Sequence, residues 1–141
     1  MKVNSSSNEA GLCGAGVLFM ALDTNRFLFI KRSDTGDNAG CWCCPGGGVD
    51  DHETIEEGAR REVAEEVGFT GDYRLHQLDR NLRDGYTFHN HIATVPTEFT
   101  PVLNHEHTDY VWTKEIPENL HPGLAQSLDA WQGRQGIEVS P

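Results

Sequence analysis

Residues 14–22, GAGVLFMAL, form a continuous apolar run of the kind that fills a strand buried on both faces. The polar set Asp23, Thr24, Asn25 and Arg26 reads as a turn. Residues 27–30 then resume as a second strand ending in Lys31 and Arg32, so the two predict a hairpin. A polar loop follows over 33–40 and a short strand over 41–44, which Pro45 ends before three glycines. Helical periodicity is clearest over 54–67, where Ile55, Ala59, Val63 and Val67 make one apolar stripe. Thr54 with Glu57 predicts a capping box, and Gly68 a C-terminal stop. Residues 73–82 and 86–95 read as two strands around Asp84-Gly85, a hairpin turn signal. A short strand follows over 110–113. A second helix over 122–131 carries Leu124, Leu128 and Trp131 on one face and Pro122 in its first turn. Strands, helix, strands, helix predicts an α/β fold with a mixed sheet between helices.

Composition narrows this picture. A chain of 141 residues suits one domain, taken as 11–141, and buries enough apolar surface to need no disulfide or structural metal. Residues 1–10, rich in Ser and Asn, read as a disordered lead-in without the apolar segment of a signal peptide. No apolar run approaches a membrane span, so no membrane partner and a cytoplasmic location are expected. The formal net charge of −11 repels phosphate backbones, which argues against duplex nucleic acid as a partner. Acid gathered in one place would instead suit divalent cations. Cys13, Cys41, Cys43 and Cys44 lack the two matched pairs of a zinc site, and read as small, reduced, buried or half-buried residues. The oligomeric state is left open, a homodimer included.

The candidate chemistry lies on the first helix. Glu62, Glu65 and Glu66 fall at i, i+3 and i+4 and share one face. Like charges at that spacing repel, the more so when partly buried. A divalent cation reverses the sign of that interaction, and magnesium prefers such oxygen ligands together with phosphate oxygens. Just upstream, Gly46, Gly47 and Gly48 let the backbone take conformations closed to other residues and approach a metal or a phosphate.

Taken together, Gly47-x5-Glu53-x7-Arg61-Glu62-Val63-x-Glu65-Glu66-x-Gly68-Phe69 resembles the Nudix box at every specified position, with Phe69 where an aliphatic residue is commoner. The resemblance implies the Nudix α/β/α sandwich with the box as loop-helix-loop. It implies a magnesium-dependent pyrophosphohydrolase, manganese able to substitute, acting on a small nucleotide: a dinucleoside polyphosphate, ADP-ribose or nucleotide sugar, or a (deoxy)nucleoside triphosphate. Glu62 and Glu66 match the family's main metal ligands, Glu65 a further one through water, and the Gly46 carbonyl often completes the shell. Arg61 matches the arginine that orients the glutamates, and Glu53 its loop partner. A non-catalytic Nudix-fold nucleotide-binding module is the alternative, although such modules usually lose box residues that this chain keeps.

Water attack on phosphorus needs a proton acceptor. Glu53 and Glu65 are candidates within the box, Glu106 and Asp109 outside it, and sequence does not choose among them. Arg32, Gly46, Gly47 and Tyr86 are the expected substrate contacts. Trp42, Tyr86, Phe88, Tyr110 and Trp112 are available to stack on a base. Tyr86 stands seventeen residues after the box, where some family members acting on dinucleoside polyphosphates carry a tyrosine. His89 and His91 share a strand face, and His105 and His107 fall in the late loop; surface or substrate-lining roles are favoured over a metal site.

Overall fold

The structure is a computed structural model that describes residues 13–36, 38–83 and 85–139, with no side-chain account of Arg83 or of residues 132–139. The expected lead-in at 1–10 and Asp84 of the expected turn lie outside the described residues. The elements run β1 (Cys13–Ala21), β2 (Arg26–Arg32), β3 (Trp42–Cys43), β4 (Gly46–Gly48), α1 (Ile55–Val67), β5 (His76–Arg83), β6 (Tyr86–Val95), β7 (His107–Thr113) and α2 (Pro122–Val139). The strands form one mixed sheet ordered β3-β2-β1-β6-β5, with β4 paired to β1 and β7 to β2.

The apolar run of β1 is central. It pairs with β6 in parallel along its whole length, from Cys13↔Thr87 to Ala21↔Val95. The expected hairpin is present but brief, joining β1 to β2 only at Met20↔Phe27 and Ala21↔Arg26. Beyond that the two strands diverge, and residues 42–48 bridge them: β3 pairs with β2, whereas β4 pairs with β1 through Gly14↔Gly48, Ala15↔Gly47 and Gly16↔Gly46.

Strand alternation splits the core in two. Ala15, Val17 and Phe19 face α1 and pack with Ala59, Val63 and Val67, while Leu18 joins Phe29, Leu78, Leu124 and Leu128 under α2. Each fully buried Val, Leu or Phe contributes roughly 1.5–3 kcal/mol over an exposed one, so the two stripes read from sequence hold the helices in place. The capping box forms, with Glu57 N–H donating to Thr54 Oγ1 at 3.0 Å and Thr54 N–H to Glu57 Oε1 at 2.9 Å. Gly68 ends α1 at φ 69°, the left-handed value its lack of a side chain permits.

Several expectations need correction. Gly46–Gly48 is a strand rather than a loop, and none of the three glycines has positive φ, so conformational freedom is not their use. β5 begins at His76 instead of 73, because the Tyr73 carbonyl accepts from Arg60 Nη2 at 3.0 Å and its ring turns onto Phe19. β7 starts at His107, which pairs with Arg32 across a bulge, so His107 leaves the expected loop. α2 continues to Val139. No helix among the described residues is long and apolar enough to cross a membrane.

Candidate active site

The box closes on itself through Arg61. Its Nε and Nη2 grip both oxygens of Glu53, at 2.7 and 3.0 Å, and Nη2 reaches the Gly48 carbonyl at 2.8 Å. Nη1 donates to Glu62 Oε2 at 3.1 Å and reaches Glu65 only at 3.4–3.5 Å. A planar guanidinium suits this two-toothed grip, which fixes the loop to the helix. The Arg61 hydrogen bonds and the Asp50 N–H hold the Glu53 carboxyl down at about 2, so it stays ionised.

Glu62 and Glu66, one turn apart, face β4. Glu66 is 3% exposed and accepts from the Gly46 N–H at 2.9 Å. A Cβ on Gly47 would stand 2.6 Å from Glu62 Oε2, so a side chain there would push the helix carboxylate away from the strand. Burial raises the Glu66 pKa well above the carboxylate range; the Gly46 N–H opposes this, while Glu62 and then Glu106 add to it. Glu65 is different, its side chain 54% exposed.

A buried carboxylate facing another is an unfavourable arrangement that a divalent cation relieves. Among the described residues no three His, Cys, Asp or Glu side chains converge as a closed cage. Magnesium does not require one, since it leans on one or two carboxylates, substrate phosphates and water. The donor set therefore fits a magnesium ion shared with a phosphate.

The late acids separate in space. Glu106 sits on a loop docked to α1: Asn104 Nδ2 donates to the Glu65 carbonyl at 3.1 Å, Asn104 Oδ1 accepts from Glu106 N–H at 3.0 Å, and Ser33 N–H donates to the Glu106 carbonyl at 2.9 Å. Its charge reaches Glu66. Asp109 instead pairs opposite Lys31, and its Oδ1 accepts from Tyr110 N–H at 2.8 Å.

On the α2 side of the same strands lies a cavity of about 310 Å³. All four expected substrate contacts, Arg32, Gly46, Gly47 and Tyr86, border it. Of the five candidate aromatics, Tyr86 and Phe88 line it, their rings 6.4 Å apart and tilted by 27°. Trp112 belongs to the core, its Nε1 donating to the Phe99 carbonyl at 3.0 Å. Both rings of the lining pair lie over Gly14, where any Cβ would collide with the Tyr86 hydroxyl and stand 2.8 Å from Phe88.

Sequence reading missed Asn81, Asn90, His121, Gly123 and Leu124 in the cavity wall. One signal was available, the small residues Gly14 and Gly16 at period two in an otherwise bulky strand, which mark a close approach from a neighbour. His89 and His91 share one face of β6, where burial and then the neighbouring His91 lower the His89 pKa, whereas His105 and His107 part company. His91 is buried with Nδ1 3.0 Å from the Gly16 carbonyl, and His105 is exposed. His107 is buried with Nε2 3.7 Å from Cys43 Sγ, and burial followed by the Arg32 charge lowers its pKa to about 4. None of the four cysteines is in a disulfide.

These features can be set beside known proteins. The NUDIX domain family model matches residues 13–132. Nucleoside triphosphatase NudI of Escherichia coli is 33% identical over 108 residues, 67% of this chain and 75% of that protein. The Nudix hydrolase RenU of Mycobacterium smegmatis superposes with a TM-score of 0.73 at 24% identity, over 89% of this chain and 86% of that one. An Ap4A hydrolase of Caenorhabditis elegans superposes at 0.67 with 18% identity, over 88% and 98%. Enzymes of this family generally use a divalent metal. A family match across most of the chain, joined to a box whose every specified residue is present and folded as loop and helix, shows that this protein belongs to the Nudix family and is a Nudix hydrolase.

Proposed function

We propose that the enzyme hydrolyses a phosphoanhydride bond of a nucleoside triphosphate, or of a related compound with one nucleoside diphosphate end, using magnesium. The observation that carries this reading is the buried Glu66 and half-buried Glu62 lying against the same two glycines that border the cavity. A cavity of about 310 Å³ stands at the small end of ligand pockets and suits one nucleoside rather than two. The kinship with a nucleoside triphosphatase points the same way.

Glu62 and Glu66 would hold the ion, with Glu65 and the Gly46 carbonyl completing its surroundings. Bound magnesium supplies charge neutralisation on phosphate oxygens and acidifies water. The chain does the positioning. Tyr86 and Phe88 seat the base, Arg32 stands where it meets negative oxygens, and Arg61 keeps Glu62 in place from the far side. Glu106 is assigned as proton acceptor, because its charge reaches Glu66 while Glu53 is engaged by Arg61, Glu65 faces solvent and Asp109 turns back on its own strand.

A product-release panel of nucleoside triphosphates, dinucleoside polyphosphates, ADP-ribose, nucleotide sugars and coenzyme A tests the reading. Turnover of a triphosphate with magnesium or manganese, abolished by EDTA, is expected. Full activity in excess EDTA, or coenzyme A as the best substrate by kcat/KM, would overturn it. Glu106→Gln should lower kcat by about 10²–10³-fold, the size of a general-base contribution, and Asp109→Asn should not.

A further inference from the structure

Three buried polar side chains meet beside the cavity. Asn81 of β5, Asn90 of β6 and Ser127 of α2 are 8%, 2% and 0% exposed. Asn81 Nδ2 donates to the Gly123 carbonyl at 3.2 Å and to Ser127 Oγ at 3.0 Å, and Asn90 Nδ2 donates to the same Oγ at 2.8 Å. The Gly123 contact fixes which end of the Asn81 amide is which. A backbone carbonyl only accepts, so the atom facing it is nitrogen and the other is an oxygen that can only accept. That oxygen, Oδ1, is buried and has no hydrogen-bond partner.

An orphaned buried acceptor is destabilising, and folded proteins leave few of them. This one belongs to a residue of the cavity wall. Asn81 is also the cross-strand partner of Phe88, so its amide and that ring are neighbours on one face of the β5–β6 pair. Among the described residues no carboxylate lines the cavity, and Asn81 is a neutral amide placed beside the aromatic pair where a base would lie. Stacking tolerates any base, whereas a fixed acceptor does not.

We propose that Asn81 is a specificity-determining residue whose Oδ1 accepts a hydrogen bond from an N–H group of the bound nucleotide's base. This rests on the nucleotide reading of the site given above. The Gly123 carbonyl holds the amide so that the oxygen cannot exchange places with the nitrogen, and Asn90 and Ser127 complete the buried cluster around it.

The test compares kcat/KM for each nucleotide with that for an analogue lacking one base N–H donor, in the full-length enzyme with magnesium. The pairs are ATP with purine riboside triphosphate, CTP with its 4-deamino analogue, UTP with N3-methyl-UTP, and GTP with ITP and N1-methyl-GTP. For the preferred nucleotide, the wild type should lose about tenfold or more on donor deletion, chiefly through KM. In Asn81→Leu the same ratio should fall to near one. The ratio is taken within each protein, so a general loss of stability does not imitate the effect. Ser127→Ala, which disturbs the cluster but keeps the acceptor, should retain most of the discrimination. Should Asn81→Leu fail to fold, Asn81→Ala removes the acceptor without adding bulk and must bring the ratio to near one. Flat ratios in every wild-type pair, or an unchanged ratio in Asn81→Leu, would overturn the proposal while leaving the hydrolase reading intact. Absence of turnover with any nucleotide would overturn both.

Discussion

The two sides of β1 at its N-terminal end are built from opposite materials. Toward α1, Glu53, Arg61, Glu62 and Glu66 crowd against β4 in a network of charged hydrogen bonds. Toward α2, Tyr86, Phe88, Asn81 and Asn90 surround a cavity that no carboxylate among the described residues lines. The same short strands serve both, with Gly47 admitting Glu62 on one side and Gly14 admitting Tyr86 on the other. Charge handling and ligand recognition are thus separated by the thickness of one sheet. A cation site must concentrate negative charge, and a pocket for an anionic nucleotide must keep it away. Variants on the two sides should therefore fail in different ways.

The largest effect should come from the acid side. Glu66→Gln or Glu62→Gln is expected to lower kcat by roughly 10²–10⁴-fold, since metal-based charge stabilisation is worth several kcal/mol at about 1.4 kcal/mol per tenfold. The melting temperature in metal-free buffer should stay equal or rise, because like-charge repulsion is relieved. Near-normal kcat at saturating magnesium would mean these carboxylates are only a helix face. Arg61→Lys comes next. Lysine keeps the charge but cannot grip Glu53 with two parallel bonds, so kcat should fall about tenfold to a hundredfold. A Lys variant of wild-type activity would show that charge alone suffices.

On the cavity side the loss should appear in KM. Gly14→Ala pushes a methyl into the Tyr86 hydroxyl and should raise KM for the nucleotide about tenfold, with kcat changed no more than a few-fold. A fall in kcat at constant KM would contradict the division between the two sides.

The smallest effect concerns stability and pH. His107 is buried, and its pKa falls from 6.5 to about 4. The unfolded chain binds that proton more readily, so the contribution is fully present above pH 6.5 and lost as pH falls from there toward 4. Urea unfolding across that window should show His107→Gln losing less stability with acid than the wild type, by on the order of 2 kcal/mol. Parallel pH profiles for the two proteins would refute this.

The acid side was legible in sequence because it is local. Thr54, Glu57 and the Ile55-to-Val67 stripe specify α1 by themselves, and the helical repeat then puts Glu62 and Glu66 on one face. The role of the glycines was not legible. Gly46, Gly47 and Gly48 have no strand propensity of their own, and their pairing is imposed by β1. His107 failed as a loop residue for a similar reason, its place being set by Arg32 across a bulge. The cavity draws on β2, β3, β4, β5, β6 and α2, so no window of sequence contains it. Arg32, Gly46, Gly47 and Tyr86 were each named from sequence, but only the fold shows that they border one space.

Titration calorimetry on three proteins separates the two sides: magnesium, then a nucleotide with a non-hydrolysable phosphoanhydride, added to wild type, Glu66→Gln and Gly14→Ala. Glu66→Gln should lose magnesium binding at least tenfold yet keep its cavity, and Gly14→Ala should bind magnesium like the wild type while its nucleotide affinity drops about tenfold. Normal magnesium affinity in Glu66→Gln, or equal loss of both ligands in Gly14→Ala, would contradict this division.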